Sequence, residues 1–190
     1  MFGKRIKLFK LFGFEVWVDL SWLVIFLLVT WSLAAGVFPR SRPGLEKVTY
    51  WLMGSLGAVG LFLSIIFHEM CHSLVARRFG LPIKGITLFI FGGVAEMEDE
   101  PPNAKAEFLM AVAGPAASVL VGFVCLGLWA VGSRMPTAWV ETATAIVWYL
   151  AWINFLVAGF NLMPAFPLDG GRMLRSLLWA WKGNLRWATR

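Results

Sequence analysis

The sequence predicts a mostly α-helical, polytopic membrane protein with about four transmembrane helices, a partial fifth, and a small cytoplasm-facing β-sheet or re-entrant β-loop. Three observations carry this expectation. Of the 190 residues, 59% are hydrophobic and 15% charged, and the mean hydropathy is +0.72, which lies well outside the composition of soluble domains. Leu20 to Phe38, Trp51 to Phe67, Phe108 to Ser133 and Thr142 to Leu168 contain no Asp, Glu, Lys or Arg, and each approaches or exceeds the roughly 20 residues that cross a bilayer. The basic residues, finally, divide thirteen to four between the two sides that four crossings define, which by the positive-inside rule puts both termini in the cytoplasm of a multi-pass cell-membrane protein.

Each element follows in order along a single membrane-embedded domain, residues 1–190. Residues 4–19 alternate apolar and polar around Gly13 and read as a β-hairpin, with an amphipathic interfacial segment as the alternative. Helices are expected over 20–38, 51–79, 108–133 and 142–162. Between the second and third, residues 85–95 are β-branched, aromatic and glycine-bounded but too short to cross, so they read as a β-loop that protein must shield from lipid. Glu96 to Pro102 is acidic and carries two prolines, which suits a solvated connection. Gly54, Gly57 and Gly60 on the second helix, and Gly114 and Ala117 on the third, read as small residues for close helix packing. Met173 to Trp181 is too short to span and reads as the start of a helix cut off by the chain end.

The net charge of +6 is explained by this topology and by anionic membrane lipids, so nucleic acid is not expected as a partner. Cys71 and Cys125 both fall within predicted spans and make no disulfide framework. No signal peptide is needed, because the first apolar run is too long for one.

The chemistry concentrates in His68-Glu69-Met70-Cys71-His72. Two histidines four apart lie on one face of a helix, where both imidazoles reach one Zn²⁺, and Glu69 beside them is placed to act as general base. These are the only histidines in the chain, and ionisable groups inside a span are costly enough to be functional by default. Catalytic zinc takes three protein ligands. Asp169 is the candidate for the third, presented from irregular backbone where Pro164 and Pro167 interrupt a helix and Gly170-Gly171 allows a turn; a solvated turn aspartate is the alternative. Asn161, next to that break, is a candidate for holding substrate backbone or an oxyanion, with helix capping as its alternative. A metal transporter or sensor could use the same histidines, although it would favour further polar residues along a path across the bilayer.

His68 to His72, together with Asn161 to Gly170 as N-x-x-P-x-x-P-x-D-G, resembles the site-2 protease family of intramembrane zinc metalloproteases. The resemblance implies that His68, His72 and Asp169 bind zinc and that Glu69 is the catalytic acid and base. It further implies that Gly92, Gly93 and Val94 belong to a β-loop that pairs with substrate, and that Ala113-Gly114-Pro115 is the motif of the third span. Where many relatives place an Asn, this chain has Ala117-Ser118. The implied substrate is a transmembrane or membrane-tethered regulatory protein, cleaved within or near its span. The hairpin and Val18 to Trp22 look most like the branch that often adds CBS domains, so a catalytic core without its regulatory domain is expected.

Overall fold

The computed structural model describes residues 5–89, 92–97, 100–135 and 137–189. Residue 4 of the expected hairpin, residues 90 and 91 of the expected β-loop, and Glu98 and Asp99 of the acidic connection lie outside the described residues.

Strands β1 (Arg5–Leu11) and β2 (Phe14–Asp19) form an antiparallel hairpin. Its two-residue turn, Phe12-Gly13, has positive φ at both positions, 48° and 92°, the backbone hand that matches strand twist in a tight hairpin. The first span, Ser21–Ser41, is built from α1 (Ser21–Ser32), a π-helical turn over Leu33–Val37, and α2 (Phe38–Ser41). The second, α3 (Lys47–Arg78), is 32 residues long. At 1.5 Å per residue it measures about 48 Å, more than the ~30 Å of hydrocarbon. His68 and His72 lie about 26–32 Å along it from Trp51, at the end of the crossing that carries Arg77 and Arg78. Strands β3 (Ile83–Phe89) and β4 (Gly92–Met97) follow, then α4 (Ala104–Gly132), α5 (Ala138–Asn161), α6 (Asp169–Lys182) and the short α7 (Leu185–Ala188).

Among the described residues, four helices are long and apolar enough to cross a membrane, and at most 39% of any span's most apolar window is buried inside the protein. Leu23, Leu27, Leu63, Phe123 and Leu156 are among the large side chains left exposed. An apolar surface of that extent requires an apolar solvent, so this is a membrane protein.

The hairpin and the β-loop prove to be one object. The strands form a four-stranded sheet in the order β1-β2-β3-β4, with β2 parallel to β3 (Val16 opposite Ile86) and β3 antiparallel to β4. Parallel neighbours need a crossover, and here the crossover is made of two membrane spans. The sheet packs on α3: Phe14, Val16 and Val18 alternate inward along β2 and meet Ile66 and Met70, one turn apart on the helix.

Two expectations are corrected beyond the fourth span. The helix expected to be cut off by the chain end is a finished 14-residue element, closed by Gly183 in the left-handed conformation at φ 66°. Asp169 is the first residue of that helix and not part of the irregular backbone, which covers residues 162–168.

Candidate metal centre

On α3, His68 and His72 point away from the face that Ile66 and Met70 turn to the sheet, since two residues further along a helix lie about 200° around it. They face α4, and α6 brings Asp169 to meet them. All three are buried. The Nε2 atoms of the histidines are 3.1 Å apart, and Asp169 Oδ2 is 3.2 Å from His68 Nε2 and 3.1 Å from His72 Nε2. Zinc held tetrahedrally at about 2.0–2.1 Å spaces its donors about 3.3 Å apart, so this nearly equilateral triangle fits the ion.

The surroundings decide which atoms face the centre. His72 donates Nδ1–H to the Met110 carbonyl at 2.6 Å, which in the neutral ring leaves the lone pair on Nε2. Nδ1 of His68 meets the buried Ser118 hydroxyl at 2.9 Å. Burial alone would raise the Asp169 carboxyl, but its contacts with His68 and His72 outweigh burial and hold it down at about 2, so it is a carboxylate at physiological pH. The His72 lone pair and the Asp169 carboxylate therefore converge with His68 Nε2 on one buried point, which a proton on that nitrogen or a cation must occupy.

Gly114 gives this point its room. A Cβ at that position would lie 2.1 Å from His72 Nε2 and 2.4 Å from His68 Nε2. The expectation that Gly114 serves ordinary helix packing is thus corrected: the missing side chain lets α4 reach the ring nitrogens. Gly170 is similar, since a Cβ there would meet the Leu162 carbonyl oxygen at 2.2 Å. It lets the 162–168 segment close over the start of α6, by close approach and without positive φ at Gly170 or Gly171.

Two further residues escape a reading of the sequence. Glu107, fully buried on α4, accepts from Arg175 Nε at 2.7 Å and also from the second guanidinium nitrogen. That pair ties α6, and with it Asp169, to α4. Glu107, Gly114 and Ser118 fall within about 40° on one face of α4, a pattern of polar and small residues in an apolar span that could have flagged the stripe. Glu69 follows His68 on the same helix and is half-buried. Asn161 closes α5, where its Nδ2 donates to the Val157 carbonyl at 3.0 Å. Gly92, Gly93 and Val94 form the start of β4, the outer strand of the sheet, which packs against α3. The polar residues a transport path would use, Ser64 and Asn154, bond to each other at 3.0 Å and so join α3 to α5.

Comparison with known proteins places this geometry in a lineage. Peptidase family M50 matches residues 56–135 and 135–189. Rip3 of Mycobacterium tuberculosis, named as a zinc metalloprotease, is 42% identical over 181 residues, which cover 94% of this chain and 45% of that protein. The zinc metalloprotease MJ0392 of Methanocaldococcus jannaschii is 32% identical over 91% of this chain and 45% of its own length. The chain therefore spans less than half the length of these curated relatives. Among solved structures, the site-2 protease from Methanocaldococcus jannaschii superimposes with a TM-score of 0.61 at 30% identity, covering 96% of this chain and 76% of that one.

Proposed function

This chain belongs to peptidase family M50, and from that premise we propose that it is the catalytic core of an intramembrane zinc metalloendopeptidase. The observation that carries the proposal is the triangle of lone-pair donors, His68 Nε2, His72 Nε2 and Asp169 Oδ2, buried among apolar spans with Glu69 next in the chain. His68, His72 and Asp169 would hold the zinc ion, which when bound supplies Lewis acidity toward water and a peptide carbonyl.

The chain's own residues do the rest. Glu69 takes a proton from the attacking water and returns it to the leaving amine. Met110 and Ser118 keep the imidazoles oriented through their Nδ1 atoms. A transmembrane substrate hides its amides within its own helix, so it must unwind to be cut. The outer edge of β4 at Gly92, Gly93 and Val94 offers backbone partners for the unwound strand, on a sheet packed against the helix that carries Glu69. Asn161 stands at the end of α5 as a further candidate for substrate backbone. The substrates are transmembrane or membrane-tethered regulatory proteins, and the protein sits in the cell membrane with both termini in the cytoplasm, as the thirteen-to-four division of basic residues suggests.

The test compares wild type, Glu69→Ala and Asp169→Ala in liposomes with a model transmembrane substrate. Glu69→Ala should keep about one zinc per chain while cleavage falls about 10²–10⁴-fold; Asp169→Ala should lose both. Full zinc retention by Asp169→Ala would refute the ligand set. Val94→Pro removes a backbone donor from the strand edge and should reduce cleavage with zinc content intact; normal turnover would make β4 a mere connector.

A further inference from the structure

Beside the metal centre, α3 and α4 enclose a trough of about 370 Å³. Phe67, Cys71 and Leu74 line it on α3 at i, i+4 and i+7, a single helical stripe, and Arg78 continues that stripe at i+11. On α4 the wall is cut back to methyl groups at Ala113, Ala116 and Ala117, and it is this loss of side-chain volume that opens the trough. The two helices run antiparallel, since His68 meets Ser118 while His72 meets Met110. Phe67 therefore lies at the deep end with Leu120, and Arg78 at the end where α3 leaves the hydrocarbon.

The lining suggests the occupant. The trough runs about 16 Å along eleven residues of helix, between side chains that are apolar up to its Arg78 end. That length and lining suit an extended hydrocarbon chain. Among the described residues its only charged lining residue is Arg78, which is exposed and has no hydrogen bond or ion pair with any of them. Its neighbour Arg77, by contrast, is spent on the Phe12 carbonyl at 2.7 Å and on the Phe14 ring.

We propose that this trough binds one acyl chain of an anionic phospholipid, with the Arg78 guanidinium holding the headgroup phosphate. A guanidinium presents forked donors that match phosphate oxygens, and basic pockets between membrane helices are suited to anionic headgroups. A bound chain would lie along α3 one residue from His72, between lipid and the metal centre. The proposal does not depend on the protease reading, because it concerns a surface formed by α3 and α4 alone.

The experiment places the chain in nanodiscs of phosphatidylcholine and phosphatidylglycerol. A trace of either lipid carries a diazirine on its acyl chain, and the crosslinked peptides are read by mass spectrometry. Phosphatidylglycerol should label peptides from 67–74 and 113–120 in preference to phosphatidylcholine, and Arg78→Gln should reduce that preference about five-fold, the effect of one basic residue at an anionic surface. Ala116→Trp, an addition at an exposed position, should fill the trough and remove those crosslinks without lowering the melting temperature. Equal labelling by both lipids, or labelling indifferent to both substitutions, would reduce the trough to ordinary lipid contact. Absence of trough labelling alongside a retained peptide would assign it to a protein segment. Either result overturns the proposal, whatever the protein hydrolyses.

Discussion

α6 is joined to its neighbours in two places, to α4 at Glu107–Arg175 and to α3 at the histidine pair, and the two junctions differ in kind. At Glu107–Arg175, opposite charges meet, two guanidinium nitrogens donating to Glu107 Oε1 while Oε2 finds no partner among the described residues, and Arg175 also lies over the Phe166 ring at 5.5 Å. At His68, His72 and Asp169, three potential ligand atoms converge at 3.1–3.2 Å, with the Nδ1 atoms of both rings already engaged elsewhere. The first junction balances one anion against one cation and can serve as scaffold. The second is incomplete without something positive at its centre, and that is how a site differs from a brace of similar composition.

Substitutions on α4 can break this contrast. The largest effect is expected from Gly114→Ala, whose Cβ would occupy the space of the ring nitrogens; zinc binding should be lost. Gly122→Ala on the same helix would meet only the Phe155 ring, at 2.7 Å, so it should cost stability and spare the metal. Zinc analysis of both, with thermal melts, checks the pair. If Gly122→Ala loses zinc as well, the special role given to Gly114 fails.

Next in size is the brace. Glu107→Ala leaves the half-buried Arg175 charge without its partner, a change that should cost less than the roughly 3–5 kcal/mol of breaking a fully buried pair. It should lower the melting temperature with or without metal. Chelation of zinc should leave the Glu107–Arg175 contribution in place, so the losses from chelation and from Glu107→Ala should add. Strong non-additivity would mean that the two junctions act as one unit.

The smallest effect belongs to Ser118→Ala, which removes the partner of His68 Nδ1 but no ligand. Zinc affinity should fall about 10–100-fold, the usual consequence of losing an outer partner of a ligating histidine, with little change in the melting temperature of the metal-free protein. Competition with a chelator of known affinity measures it, and an unchanged affinity would make the hydroxyl a bystander.

The four spans were legible because lipid imposes a local rule: a crossing must be apolar for its whole length, whatever it packs against. The hairpin was legible because its strands are joined by two residues, and the histidine pair because i and i+4 share a face of any helix. Asp169 could be named as a candidate from its residue type and surrounding prolines. Its distance from the histidines, however, is set by α6 packing on α4. Ser118, Met110 and Glu107 were silent for the same reason: their partners lie 50, 38 and 68 residues away, and no local period records such a contact. Gly114 was visible as a small residue, but only the approach of α4 to the ring nitrogens shows why no larger one fits. The pairing of β2 with β3 is the clearest case of the limit. A parallel neighbour leaves no turn signal, and two membrane spans separate these strands, so their union into one sheet on α3 was decided by tertiary packing.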